Sequence, residues 1–342
     1  MAIQGFDAAP PPADGRNVRA AISRVRLLIL LLIVAAASLL GALLVGSVSL
    51  TLTQVVDALL LPTPGVAHDI VWQLRLPRAL AAFVCGGLLA MSGVLLQVLL
   101  RNPLADPYVL GISGGAALGA LGAMLFGATL VATNFAAFAG ALAAMAAVFA
   151  LSFRSGDWNP HRLLLTGVVL SSGCAALLSL ILAVAPQAQL KGMLFWLMGD
   201  LSDAGSSGFA WLLLAVLSAA FIGLAGNLDA MTLGNLKARV LGVALKPVQA
   251  ALYFGAAAAT VAAVLLGGSI GFVGMMAPHA LRLLGVHEHR VLLPAAVLCG
   301  GVFVTLADIL ARTVWAPQQL PVGVLTALIG VPVMLFLLSR RA

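Results

Sequence analysis

The clearest potential for chemistry lies in "RLPRAL", residues 75–80, where two arginines stand three positions apart at the start of a long apolar run. Arginine presents its N–H donors in a planar fork that matches a carboxylate or a phosphate. Asp308 and Arg312 lie four positions apart in another apolar stretch, a spacing that brings two side chains onto one helix face. Because buried charges usually pair, we interpret these two residues as a structural ion pair rather than as an ion relay.

The chain lacks the residues of an ATP-hydrolysing site. A Walker A motif requires a Gly-Lys dipeptide, but Lys191, Lys237 and Lys246 each follow a leucine. No HExxH motif occurs, and the three cysteines lie in apolar runs without CxxC spacing. We therefore expect no catalytic residue, no resident cofactor and no metal site in this chain.

The histidines give a weaker signal, which centres on "HEH" at residues 287–289. This tripeptide is interpreted as a solvated polar turn, because alternate residues do not share a helix face. Metal binding by the two imidazoles is the alternative interpretation.

Composition places these residues in a membrane protein. Of 342 residues, 62% are hydrophobic and only 8% are charged, which is too little charge to solvate a water-soluble domain of this length. The 36 glycines favour helices whose backbones approach closely. Gly86, Gly87 and Gly93 are predicted to be packing residues of this kind. The fold class is therefore an all-α polytopic membrane protein.

Apolar runs of suitable length define about ten transmembrane helices. Residues 1–24 are predicted to form a disordered cytoplasmic tail and residues 25–342 the transmembrane domain. The segment at 270–284 is short and glycine-rich, so a broken helix is expected there. The ten predicted spans are 27–50, 78–100, 109–126, 130–152, 162–185, 208–226, 247–267, 270–284, 291–311 and 321–339.

The distribution of positive charge predicts the orientation. With both termini in the cytoplasm, every Lys and Arg lies in an inside segment except Arg75, Arg78, Lys191 and Arg312. This bias follows the positive-inside rule and accounts for the basic sequence without nucleic acid. The arginines of "RLPR" are then predicted to lie on the outer face.

Three motifs resemble those of one transporter family. The segment "LRLPRALAAFVCGGLLAMSGVLLQVLLRNPLADPYVLGISGGAALGA", residues 74–120, is similar to the FecCD-type permeases of ABC importers for iron–siderophore complexes, haem and cobalamin. "GFVGMMAPHALRLLG" and "LPVGVLTALIGVPVMLFLL" resemble later signatures of that family. The resemblance implies a type II importer permease in the inner membrane. Its implied partners are a second copy of itself, two cytoplasmic ATP-binding subunits and a periplasmic substrate-binding protein.

The resemblance also assigns roles to particular residues. The inside loop at about 227–246 resembles the coupling helices that dock on the ATPase, although Asn235 and Leu236 stand where acidic residues are usual. The alternative interpretation is that this loop is an amphipathic connector that binds no partner. The residues implied in coupling are Leu233, Gly234, Ala238, Arg239, Leu241 and Gly242.

Two further sites are implied on the outer face. Residues 186–203 resemble a short gating helix, in which Met193, Trp196 and Met198 are the predicted gate residues. An interfacial aromatic belt is the alternative for this segment. Arg75, Arg78 and Arg312 are predicted to form a basic collar that receives acidic side chains of the binding protein. Anchoring to lipid phosphates, or pairing of Arg312 with Asp308, is the alternative for these arginines.

The implied function is import of an iron chelate, either a siderophore complex or haem, driven by a partner ATPase. A cobalamin importer is the alternative within the family. An ion-coupled secondary transporter is the alternative outside the family.

Overall fold

The computed structural model describes residues 15–46, 48, 50–61, 65–153, 158–202, 205 and 207–339. The first helix begins at Gly15 and therefore extends into the segment for which a disordered tail is predicted. Residues 1–14 of that predicted tail lie outside the described residues. The helix starts early because the chain from residue 15 contains neither proline nor a further glycine before Gly41.

The described residues fold into helices and connecting turns, with no strand in these ranges. A π-helical segment, Ile70–Arg75, precedes α4, and a 3₁₀ turn, Pro107–Leu110, precedes α5. The α-helices are α1 Gly15–Leu44, α2 Leu52–Leu60, α3 Val66–Asp69, α4 Leu76–Leu100, α5 Ile112–Leu125, α6 Leu130–Ser152, α7 Pro160–Val184, α8 Gln187–Met198, α9 Gly208–Gly223, α10 Ala225–Thr232, α11 Asn235–Val240, α12 Leu245–Gly267, α13 Val273–Leu283, α14 His289–Thr313 and α15 Val322–Ser339.

Each of the ten predicted spans coincides with one of these helices. In the described part of the chain, six helices are long and apolar enough to cross a membrane, and a seventh span arises if the bent pair α9 and α10 is counted as one. The other predicted spans correspond to the shorter helices α5, α13 and α15. The expected break is present, because α13 has only 11 residues and follows a turn at Gly268–Phe272.

Helix α4 forms the centre of the bundle. Nearly all of its residues from Ala79 to Leu100 are buried, and α12, α13 and α14 pack around it. Small residues allow this close packing: a Cβ placed on Gly86 would lie 2.1 Å from the carbonyl oxygen of Gly300, and one on Gly93 would lie 1.8 Å from that of Gly274. These two glycines therefore act in helix packing, as the sequence predicts.

The 3₁₀ turn that precedes α5 and the start of α13 both lie beside α4. Pro107, just before α5, lies against Gly274 in the first turn of α13, and Gly274 in turn lies against the backbone of Leu89. Tyr108 joins the two breaks, because its hydroxyl donates to the carbonyl oxygen of Ile270 at 2.9 Å and accepts from the Ile270 N–H at 2.8 Å. These bonds satisfy backbone groups that the breaks leave without helical partners.

Candidate functional site

Arg75 lies at the start of α4 and is buried, with 5% of its surface exposed. Its Nη1 donates to the carbonyl oxygens of Leu43 and Leu44 at 2.6 and 3.0 Å, and its Nη2 donates to that of Val48. These carbonyls belong to the C-terminal end of α1 and the turn that follows, where helical partners are lacking. Arg75 therefore caps α1, and its positive charge complements the dipole of that helix.

Arg78 and Arg312 share a single carboxylate. The Nε and Nη2 of Arg78 lie 2.9 and 2.8 Å from Oδ1 of Asp308, and the Nε of Arg312 lies 3.0 Å from Oδ2. Arg78 also donates from Nη1 to Oε1 of Gln319 at 2.7 Å. Asp308 is only 1% exposed, so the two arginines supply the charge compensation that a buried carboxylate requires. The predicted Asp308–Arg312 pair is confirmed, and Arg78 is an additional partner.

The three arginines border one cavity of about 250 Å³ at this end of the bundle. Gln73, Ser202 and Gln319 also line it. Because Asp308 neutralises only one of the three guanidinium charges, the lining keeps an excess of positive charge. The three guanidiniums are thus mostly buried and engaged within the chain, in a recess rather than in an open collar. Their role in docking a binding protein stays a prediction.

The segment predicted as a gating helix is helical, as α8. Its predicted gate residues face different surroundings: Met193 is fully buried, Trp196 is partly buried and Met198 is 42% exposed. The end of α8 is held by close backbone contacts, since a Cβ on Gly268 would lie 2.3 Å from the Trp196 carbonyl oxygen and one on Gly323 would lie 2.1 Å from that of Met198. The end of α8 therefore packs directly against the α12–α13 break and the start of α15.

A cavity of about 460 Å³ opens beside α8. Lys191, Phe195 and Trp196 of α8 line it together with Asn134 of α6 and Asp200. The ammonium group of Lys191 lies 5.8 Å from the ring centroid of Phe195, within the range of a cation–π contact. The aromatic residues of α8 thus border a polar cavity, which is compatible with a gate. Gating itself stays a prediction.

The predicted coupling loop folds into α10, a turn at Gly234 and the short helix α11. Gly234 and Gly242 have φ angles of 101° and 85°, the left-handed region that glycine adopts most readily. They mark the two ends of α11. Arg239 and Lys237 of this helix are exposed.

The exposed surface of α11 is apolar as well as basic. Val240 is 82% exposed, Leu236 78%, Leu241 63% and Leu233 57%. Ala238 points the other way and is fully buried, because it packs the short helix against the bundle. Ala238 therefore lies on the inner side of α11, and its role in coupling stays a prediction. Leu236, which departs from the family's acidic pattern, and Val240 are the exposed residues that the sequence did not single out.

Comparison with known proteins agrees with this architecture. The model of the FecCD transport family matches residues 27–340, nearly the whole chain. The chain belongs to the FecCD transport family.

The chain is also similar to curated FecCD-type relatives. It is 38% identical over 278 residues to a vitamin B12 import system permease protein of Citrobacter koseri, a match that covers 79% of this chain and 84% of the relative. It is 37% identical over 277 residues to the protein of that name from Salmonella typhi, with 80% and 84% coverage.

A solved structure, described as the inward-facing conformation of a candidate metal-chelate type ABC transporter, superimposes with a TM-score of 0.80 at 29% identity. It covers 93% of this chain and 99% of its own. The protein is therefore a multi-pass inner-membrane permease of the ABC importer type.

Proposed function

We propose that this FecCD-family chain is the membrane subunit of an ATP-driven importer that moves a metal chelate from the periplasm to the cytoplasm. Alternating access of a dimer of this chain drives the movement. Two ATP-binding subunits power it from the cytoplasm, and a periplasmic binding protein delivers the cargo. Both termini of the chain lie in the cytoplasm in this arrangement.

The observation that carries the proposal is the surface of α11. Four apolar side chains are more than half exposed on and around a six-residue helix, in a loop that the charge distribution places in the cytoplasm. A large apolar surface next to water usually marks a contact with another protein. Lys237 and Arg239 flank these side chains and fit an acidic rim on the partner. The partner that supplies ATP hydrolysis is expected to bind here, because this chain has no Gly-Lys motif.

The periphery of the bundle supports a dimer. The most apolar stretch of α7 is only 11% buried within one chain, although α7 carries small residues at 171–176 that allow close helix contact. A second copy packed on this face would bury part of that surface.

The arginine-lined cavity supports docking of an acidic binding protein. Three arginines line the cavity, and the Asp308 carboxylate that pairs with two of them compensates only one charge, so an excess of positive charge remains. The exposed Gln319 also lines the cavity. A carboxylate entering the recess would complete the pairing of these guanidiniums. The basic collar predicted from the sequence is therefore proposed here as a recessed docking cavity for the binding protein.

Within the class of metal chelates, vitamin B12 is the first candidate. The supporting observation is that relatives 37–38% identical to this chain carry that function in their names. An iron chelate, either a siderophore complex or haem, is the second candidate. It is favoured by the overlap with the candidate metal-chelate transporter over 93% of the chain.

An ion-coupled secondary transporter fits the chain less well. Such a mechanism uses an intramembrane carboxylate that gains and loses a proton or a sodium ion. Asp308 is the buried carboxylate of α14, and it is already bonded to Arg78 and Arg312. A residue held in this way is a poor ion carrier.

Uptake by a strain that lacks its own permeases tests the proposal. Cells expressing this chain with its ATPase and binding protein are given labelled vitamin B12, a ferric siderophore or haem. The proposal expects accumulation of one of these chelates, and loss of accumulation when the ATPase carries an inactive Walker A lysine. Accumulation that survives loss of the ATPase and disappears with a proton uncoupler would favour the secondary transporter.

A further inference from the structure

Asp229 and His289 join the coupling loop to the start of α14. Asp229 lies on α10, and His289 is the first residue of α14. The imidazole Nδ1 of His289 lies 2.6 Å from Oδ1 of Asp229, and the backbone N–H of His289 donates to the same oxygen at 3.0 Å. Because an ionised carboxylate only accepts, Nδ1 is the protonated nitrogen of the ring. Two directional bonds therefore hold one carboxylate to one helix terminus.

The interpretation of "HEH" as a solvated turn is wrong for its last residue. His287 and Glu288 are exposed, but the side chain of His289 is only 1% exposed. The ring is turned inward because Asp229 accepts its N–H and also satisfies a backbone N–H that the first turn of a helix leaves free. Asp229 lies 60 positions away in the sequence, so the pattern around "HEH" contains no sign of this partner.

Helix α14 carries a second buried polar contact near its other end. Asp308 follows His289 along the same continuous helix, about 28 Å away at the normal helical rise. Asp308 binds Arg78, and Arg312 lines the arginine-lined cavity. One helix therefore links the coupling loop at one end to the predicted docking cavity at the other. A continuous helix is one physical link that can carry coupling between distant sites, and in α14 Pro294 leaves out one backbone hydrogen bond along the way.

We propose that the Asp229–His289 contact is a positioning contact that transmits movement of the coupling loop to α14. The proposal rests on the proposed function, in which the ATPase docks on α11. When the docked ATPase moves α11, the preceding helix α10 moves with it and carries Asp229. Because hydrogen bonds lose strength steeply when they are misaligned, the start of α14 follows Asp229 instead of sliding past it. The far end of α14 then shifts the arginines that border the predicted docking cavity.

The reconstituted transporter tests this inference. Vesicles contain the full chain with its ATPase. Binding protein is added together with whichever of vitamin B12, a ferric siderophore or haem the wild type accumulates. The measured quantity is the number of chelate molecules imported per ATP hydrolysed. His289→Leu keeps an apolar side chain of useful size but removes the donor. We expect it to lower the ratio by about fivefold or more, the lower end of typical coupling between sites.

Further variants distinguish loss of this contact from a general loss of stability. His289→Asn restores an N–H donor near the Nδ1 position and is expected to recover most of the ratio. Asp229→Ala is expected to lower the ratio as His289→Leu does, and the double variant to be no worse than either single one, because all three lose the same contact. Glu288→Gln is the matched control. It breaks the neighbouring Arg24–Glu288 pair, whose atoms lie 2.6 Å apart but are 41% and 54% exposed, and is expected to leave the ratio unchanged.

Each other outcome overturns the inference. If import and ATP hydrolysis fall together at a constant ratio, the contact only stabilises the fold. The same conclusion holds if both His289→Leu and Asp229→Ala fail to assemble while Glu288→Gln assembles. A normal ratio in His289→Leu rejects any role in coupling. If the wild-type vesicles show no ATP-dependent import, the proposed function itself fails, and that result is obtained before any variant is compared.

Discussion

Replacing Gly93 by alanine tests whether backbone contact holds the centre of the bundle together. A Cβ at this position would lie 1.8 Å from the carbonyl oxygen of Gly274 and 2.5 Å from its carbonyl carbon. Ordinary contact requires about 3.4 Å, so α4 and α13 would have to separate locally by roughly 1.5 Å in a close-packed interior. No flexible side chain lies there to move aside.

The expected cost exceeds the benefit of a better helix former. Alanine is favoured over glycine inside a helix by about 1 kcal/mol. Forcing an extra methyl group into a packed core costs about 1–3 kcal/mol and sometimes more, and membrane helices depend strongly on such close contact. Because the overlap is with backbone atoms, the cost is expected at the upper end of this range, which leaves Gly93→Ala destabilised by about 2 kcal/mol after the gain in helix propensity is subtracted.

Two matched glycines give the comparison. The atoms nearest to a Cβ on Gly87 would be side-chain atoms, 3.1 Å away on Val297 and 3.3 Å away on Leu214, with the Val297 carbonyl oxygen in ordinary contact at 3.5 Å. A Cβ on Gly122 would meet nothing within 4 Å. The measurement is the thermal unfolding midpoint of the purified chain in detergent, followed by size-exclusion chromatography. Gly93→Ala should unfold at a lower temperature, Gly87→Ala near the wild type, and Gly122→Ala at or above it.

Two results would refute this account of the glycine. One is a Gly93→Ala protein that unfolds at the wild-type temperature. The other is a stable Gly93→Ala protein with an altered chelate preference, which would assign the glycine to the transport pathway instead of to helix packing.

Three further predictions concern the charged network and the docking surfaces. Asp308→Asn leaves two buried arginines without their carboxylate and should lower the free energy of unfolding by about 3–5 kcal/mol. The same thermal unfolding assay measures this change, and an unchanged midpoint would show that the pairing does not stabilise the fold. Leu236→Glu should weaken ATPase binding in a pull-down experiment. The control Phe126→Glu, at an exposed position beyond α5, should bind like the wild type. Equal ATPase binding by both variants would show that α11 is not the docking surface. Gln319→Glu should slow association of the binding protein and reduce the salt dependence of the association rate. The control Gln318→Glu lies outside the cavity lining and should leave both unchanged. Equal association rates for the two variants would exclude docking through the cavity.

The helices were largely predictable because long apolar runs can satisfy their backbone in a membrane only as helices. The sequence therefore placed α4 within two residues of its start, and glycine-rich residues 267–274 correctly indicated a broken helix. The positions of the shorter helices relative to α4 were less predictable. Nothing in the local sequence shows that the 3₁₀ turn before α5 lies beside α4, since its position depends on Pro107 packing against Gly274 of α13.

The sequence identified the residues of the candidate sites, but it did not predict which of their side chains are buried and which are exposed. The sequence identified Arg75, Arg78 and Arg312, yet their burial depends on the end of α1 and on a carboxylate 230 positions away from Arg78. The predicted coupling loop was assigned by its resemblance to the family's pattern. A six-residue helix is too short for periodicity to show that Ala238 faces inward and Val240 outward. The Asp229–His289 contact is another long-range pairing that local patterns do not reveal.

Import by the purified system tests the central claim most directly. The chain, its ATPase and its binding protein are reconstituted in vesicles, and entry of labelled vitamin B12, a ferric siderophore or haem is followed with and without ATP. The account predicts uptake that requires ATP and binding protein together and is unaffected when the proton gradient is collapsed. Uptake by the chain alone, driven by a proton gradient in the absence of ATP, would contradict it.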